Sequence, residues 1–209
     1  MDNQQDVDRY TASCDTPFWQ QVFEHESNYL MQHISKNDHV LSVGCGPAVI
    51  ERSLIANGYQ IVGMDVSAEA LHCAKDTFRV VTASAEDMPF PPQSFDVVLF
   101  IASLQFITDI HSALKKTALV LKPNGKMIAL LLNPASDFFT HRSANPESYL
   151  RKMKHQSLNS IIAIAGQWFS TSGEYYLGVA GDDLFTSNDP ATAALYILHA
   201  TPYAQQPTV

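Results

Sequence analysis

The sequence predicts an α/β domain built on a doubly wound, mostly parallel sheet. Short apolar runs alternate with amphipathic stretches through residues 38 to 132. A Gly-x-Gly turn closes the first of these runs and opens a helix. Val97 to Ile101 is continuously apolar, as strands covered on both faces are.

Each element follows in order. Phe18, Val22, Tyr29, Leu30 and Ile34 recur at near-helical spacing, which predicts a helix over 18–35. His39 to Val43 is a strand, ended by Gly44-Cys45-Gly46-Pro47. A helix from about Ala48 stops at Asn57-Gly58. Gln60 to Met64 is the second strand, Ser67 caps the next helix, and Phe78 to Thr82 is the third strand. Met88 to Ser94 carries three prolines and is a loop. The fourth strand is followed by a helix capped at Thr108 or Asp109, and Pro123-Asn124-Gly125 turns into a fifth strand, Lys126 to Leu132. Residues 133–173 break the rhythm and read as a helical insertion, with helical pieces near 146 to 165. Glu174 to Leu184 and Ala193 to Ala200 read as an antiparallel strand pair. The expected sheet is therefore seven-stranded, in a single domain over 1–209: an N-terminal helical lid (1–37), a core (38–132), the insertion and the terminal pair.

Composition narrows the function. The chain has 209 residues, 46% of them hydrophobic and 16% charged, which suits a packed domain rather than disorder. A formal net charge of -8 repels phosphate backbones and argues against nucleic acid as a partner. The three cysteines show no CxxC spacing, as expected of reduced thiols in a cytoplasmic protein. The start, MDNQQDVDRY, lacks the basic and apolar character of a signal peptide, and no apolar run is long enough to cross a bilayer.

The glycine turn is where chemistry concentrates. Glycine lets backbone approach a ligand closely, and helix N–H groups point at it. Asp65 closes the second strand, where a carboxylate accepts hydrogen bonds from vicinal ribose hydroxyls. Together these suggest an adenosine-containing ligand. A dinucleotide site wants a third glycine three places after the second, and that position is Val49.

Five stretches carry a more specific likeness: Val40 to Ala48, Val62 to Ser67, Ala83 to Phe90, Ser94 to Val98, and Leu121 to Lys126. In order and spacing they resemble the class I S-adenosylmethionine-dependent methyltransferases, in their small-molecule branch. The resemblance implies a Rossmann-like methyltransferase fold, S-adenosylmethionine as cofactor and a small-molecule acceptor. It also implies roles by position. Gly44, Cys45 and Gly46 would pass beside the methionine part, and Asp65 would hold the ribose. Val66 would lie against the adenine, Ala85 and Glu86 along its edge, and Ile101 beside the methionine moiety. This chain departs from the family in three places. It has Ser42 where the family usually has an acid, Ala48 for the third glycine, and Ser84 where an Asp usually meets the adenine amino group. The two serines remove carboxylates from around a cationic cofactor and predict weaker binding. They also leave open a non-catalytic binder of the cofactor or its demethylated product.

Acceptor contacts are expected from three places. Tyr10, Phe18 and Trp19 would form an aromatic wall in a lid; the alternative is ordinary helix packing. Gln105 and Phe106 follow the fourth strand at the carboxyl edge. His141, Arg142, Arg151, Lys152, Lys154 and His155 form a basic run, either a site for an anionic acceptor or a solvated helix face. Glu24-His25-Glu26 does not share a helix face, so no metal site is expected. The oligomeric state is not legible.

Overall fold

The computed structural model describes residues 14–145 and 148–203. Tyr10 lies outside the described residues.

Helix α1 (Pro17–His33) starts with a proline, whose missing N–H costs nothing in the first turn. It is followed by β1 (His39–Val43), α2 (Val49–Ala56), β2 (Gln60–Asp65), a short α3 (Ala68–Leu71) and β3 (Val80–Thr82). Then come β4 (Phe95–Ile101), α4 (Ile110–Val120), β5 (Leu121–Leu132), α5 (Asp137–Ser143), α6 (Leu158–Ala165), β6 (Phe169–Ala180), β7 (Asp183–Phe185) and β8 (Ala193–Pro202). The expected caps form: Ser67 Oγ accepts from Ala70 N at 3.1 Å and Asp109 Oδ1 from Ser112 N at 3.1 Å.

The sheet order is β3-β2-β1-β4-β5-β8-β6-β7. Strands β1 to β5 pair in parallel, and β8 runs antiparallel to both β5 and β6. Strand order reverses between β1 and β4, which makes the carboxyl ends of those two strands the switch point. Alternate residues serve opposite faces. Val40, Val97 and Ile128 pack under α1 and α2, while Leu41, Val98 and Met127 pack under α4 and α6. No described helix is long and apolar enough to cross a membrane.

The structure differs from the sequence reading at three points. The sheet has eight strands rather than seven. The run 174–184, read as one strand, folds back on itself: Gly181 takes φ +62° at the first central position of a two-residue turn, and Ala180 pairs with Asp183. Strand β6 also starts at Phe169 rather than Glu174, because Phe169 to Gly173 pair with Pro202 to Leu198. Those residues are mostly polar, so only tertiary pairing reveals them. In the insertion, a 3-10 turn (Tyr149–Lys152) stands apart from α6.

Helix α1 is a packed element of the domain. Val22, Tyr29 and Leu30 are buried against the sheet. Its last turn is tied down by a polar network. The Tyr29 hydroxyl donates to Glu174 Oε1 at 2.5 Å and lies 2.8 Å from His199 Nε2. The Lys126 ammonium donates to the His33 carbonyl, and His33 Nδ1 to the Tyr29 carbonyl at 2.7 Å. Ligating atoms of His33, Glu174 and His199 lie within 4.8 Å of one another, a grouping that sequence spacing did not suggest.

Tyr29→Phe keeps the ring and deletes the hydroxyl that serves two partners. A loss of about 1–2 kcal/mol is expected, read in urea melts as a lower midpoint at unchanged slope.

Candidate functional site

The site is built at the switch point. After β1 the chain turns through Gly44 at φ +72° and Gly46 at φ +53°. Gly44 N and Cys45 N both donate to the Met64 carbonyl, at 2.7 and 3.2 Å. A Cβ on Gly44 would lie 2.6 Å from Ser103 Cβ, so only glycine lets the turn close onto the end of β4. Ser103 Oγ fastens that approach by donating to the Val43 carbonyl at 2.6 Å. Ala48, at the third-glycine position, still takes the left-handed conformation at φ 59°. Its methyl makes this conformation cost about 1–2 kcal/mol.

Asp65 braces this turn. Its Oδ2 accepts from Gly46 N at 2.8 Å and its Oδ1 from Ser67 N at 2.9 Å. Each carboxylate oxygen keeps a second acceptor direction. The carboxylate is therefore fixed in place and can still receive a pair of hydroxyls. Val66 beside it is 70% exposed, an apolar surface standing open next to the carboxylate. Ala85 is buried at the start of a 3-10 turn, Ala85–Asp87. Ser84 Oγ accepts from Glu86 N at 3.1 Å and donates to the Glu86 carboxylate. Ile101, half-buried, ends β4 on the same edge.

The serine at position 42 meets a carboxyl from another element. Ser42 Oγ donates to Glu51 Oε1 at 2.6 Å, and Glu51 is 2% exposed in the first turn of α2. Burial, offset in part by the Ser42 hydrogen bond, moves the Glu51 carboxyl up to about 7. Glu26 of α1 is also buried, and burial with Glu51 nearby pushes its carboxyl up to about 8. Burial foremost, then Glu51 and Asp65, raises the Cys45 thiol, so it stays protonated and fits a space-filling role. A glutamate carboxyl thus lies beside each of the two serines, Glu51 beside Ser42 and Glu86 beside Ser84. Sequence spacing could not pair Ser42 with Glu51, which meet only once α2 packs on β1.

The acceptor candidates separate. Gln105 is fully buried. Its amide donates to the Leu132 carbonyl at 3.1 Å and the His155 carbonyl at 3.3 Å, and accepts from Leu132 N at 2.7 Å. It pins the insertion to β5 from a fully buried position, out of an acceptor's reach, which corrects the expectation placed on it. Phe106 stacks on Tyr149 with centroids 5.6 Å apart. Trp19 stacks on Phe23 and meets Phe18 edge-on. The Arg142 guanidinium lies over Phe18, Trp19 and Phe138 at 5.4, 4.9 and 4.7 Å, clasping α5 to the start of α1. His141, Arg151, Lys152 and Lys154 are exposed.

Comparison with known proteins agrees with this geometry. Residues 41–129 match the family described as a methyltransferase domain. A ubiquinone/menaquinone biosynthesis C-methyltransferase of Rickettsia rickettsii is 28% identical over 180 residues, covering 78% of this chain and 68% of that protein. A sterol 4-C-methyltransferase of Caenorhabditis elegans is 28% identical over 114 residues, covering 50% of this chain and 34% of that one. Among solved structures, an S-adenosylmethionine-dependent methyltransferase from Thermotoga maritima superposes with a TM-score of 0.80 at 16% identity, covering 95% of this chain and 96% of that one.

Three outcomes are expected. Ala48→Gly relieves the left-handed alanine and is neutral to about 1 kcal/mol stabilising, a rise of up to a few degrees in melting temperature. Gln105→Ala strands buried partners and costs about 1–3 kcal/mol in chemical denaturation. Glu26 and Glu51 bind protons more tightly folded than unfolded, so their contribution to stability is complete below about 4.5 and is lost as pH rises through about 7 and 8. The ligand-free protein should melt lower at pH 9 than at pH 6, and Glu26→Gln should flatten that slope in calorimetric scans.

Proposed function

Because the chain belongs to the class I S-adenosylmethionine-dependent methyltransferases, we propose that it binds S-adenosylmethionine at the switch point and methylates a planar, largely apolar small molecule. The observation that carries this reading is the Asp65 carboxylate, held by Gly46 N and Ser67 N beside an exposed Val66. That is the arrangement a ribose and a purine need, side by side.

The residues fit the cofactor. Asp65 takes the two ribose hydroxyls, Val66 packs on one adenine face, and Ala85 and Glu86 line its edge. Gly44, Cys45 and Gly46 leave room for the methionine part, with Ile101 across from them. The bound cofactor supplies a methyl group on a sulfonium already activated by its charge. The protein's task is then to align the acceptor and keep water out, which requires no nucleophilic side chain. Aromatic rings suit that task. Phe106 and Tyr149 stack beyond the end of β4, and Trp19 stands in the cluster that joins α1 to α5. The anionic acceptor suggested by the basic run finds less support, since Arg142 is taken up by three rings and the other cations of the run face solvent. The relatives named act on a quinone precursor and a sterol, and both fit an aromatic, uncharged wall. The reading as a non-catalytic binder rests on two absent carboxylates, and the glutamates bonded to those serines, Glu51 and Glu86, weigh against it.

Asp65→Ala should weaken S-adenosylmethionine binding at least tenfold by titration calorimetry, since it removes a charge-assisted pair of hydrogen bonds worth about 1.5–3 kcal/mol. A panel of quinols, sterols, amines and carboxylates, assayed by formation of the demethylated product, tests the acceptor class. Turnover confined to carboxylates would reverse the acceptor assignment.

A further inference from the structure

The last turn of α1 and strands β6 and β8 bring together two imidazoles and a carboxylate. Strand register places Glu174 and His199. Ser172 pairs with His199 and Glu174 with Ile197, so the two side chains are diagonal neighbours on one face of the sheet. His33, in the last turn of α1, covers them, and its ring centroid lies 5.2 Å from that of His199. The ligating atoms of His33, Glu174 and His199 all lie within 4.8 Å of one another. Only the fold assembles residues so far apart in the chain. The glycine turn follows β1, whereas this cluster stands on β6 and β8, beyond β4 and β5 in the sheet order.

The hydrogen bonds around the cluster are those that metal-ligating side chains make. His33 Nδ1 bonds the Tyr29 carbonyl at 2.7 Å. A carbonyl only accepts, so Nδ1 carries the proton and Nε2 keeps its lone pair. A histidine ligates in this way, with its second nitrogen fixed by an outer partner. Tyr29 stacks on the same ring with centroids 4.1 Å apart, which holds the ring's plane. The Tyr29 hydroxyl donates to Glu174 Oε1 at 2.5 Å, which orients the carboxylate and leaves Oε2 for a metal. That uses the hydroxyl's one proton, so the 2.8 Å contact with His199 Nε2 is donated by the ring when no metal is bound. Glu174 is exposed and both imidazoles are half-buried, so an ion can enter from solvent. The Lys126 ammonium, which donates to the His33 carbonyl, opposes a second cation and limits the affinity.

We propose that His33, Glu174 and His199 form a site for a divalent transition-metal ion of the zinc type, which clasps the end of α1 to β6 and β8. Two imidazoles and one carboxylate are a donor set that such ions take, with water completing a tetrahedron. Calcium and magnesium ask for a shell of oxygens, and the cluster offers a single carboxylate. Ligand atoms around tetrahedral zinc stand about 3.3 Å apart, given bond lengths of about 2.0–2.2 Å. The separations here are at most 4.8 Å, and rotation of the exposed Glu174 side chain closes the remainder. The two rings are held by packing and hydrogen bonds, so the carboxylate is the part that moves. The ion's role is mechanical. At its other end α1 carries Phe18 and Trp19, which Arg142 joins to α5. A metal in the last turn fastens the second end of the same helix. The site is independent of the cofactor assignment.

Titration calorimetry of the chelator-treated full chain with zinc chloride tests this. One ion per chain is expected, and zinc at ten times its dissociation constant should raise the melting temperature by about 3–5 °C. Cobalt in place of zinc should give the visible bands of a four-coordinate nitrogen–oxygen site, without the near-ultraviolet charge transfer of a thiolate. His33→Gln and His199→Gln should each weaken binding at least tenfold. Glu174→Gln keeps an oxygen that accepts from Tyr29, so it should fold as the unaltered protein does by circular dichroism while losing affinity to the same degree. Cys73→Ser, which removes an exposed thiol, should bind as before. Should a histidine variant fail to fold, Glu174→Gln and the cobalt spectrum decide the matter. No binding, binding that survives Glu174→Gln, or a cobalt spectrum with thiolate charge transfer overturns the proposal. Each of these outcomes leaves the cofactor assignment standing.

Discussion

The carboxylate of Asp65 accepting from the backbone of Gly46 and Ser67 is the contact on which the rest of the site depends. It ties the ends of β1 and β2 together through two main-chain donors, at 2.8 and 2.9 Å. The same contact sets the carboxylate's free acceptor directions and exposes Val66 beside it.

Two serines around that contact engage glutamates. On β1, where the resemblance implies an acid, Ser42 donates to Glu51 of α2. After β3, Ser84 caps a 3-10 turn and holds the carboxylate of Glu86. In both places a serine hydroxyl fixes a glutamate close by.

The insertion is held by interactions that have no catalytic chemistry. Gln105 ties it to β5 through three hydrogen bonds, and Arg142 joins α5 to α1 through aromatic faces. Both residues stand at positions where polar groups suggest acceptor contact. What weighs against that role is complete burial in one case and ring stacking in the other. The aromatic groups around the end of β4, Phe106 and Tyr149, remain as the surface on which the proposed acceptor class rests.

The sequence by itself determined the parallel core, because apolar runs, caps and the glycine turn are local signals whose physics acts within a few residues. It also set Asp65 and Ile101 at the carboxyl ends of β2 and β4, since local patterning marks where each strand stops. Tertiary structure alone decided the rest. The hairpin at Gly181 and the early start of β6 depend on pairing with β8, far away in the chain. The Ser42–Glu51 contact and the burial of Glu26 depend on how α1 and α2 cross the sheet. Residues on different elements acquire their electrostatic meaning only when packing removes the water between them, and no spacing along a chain encodes that.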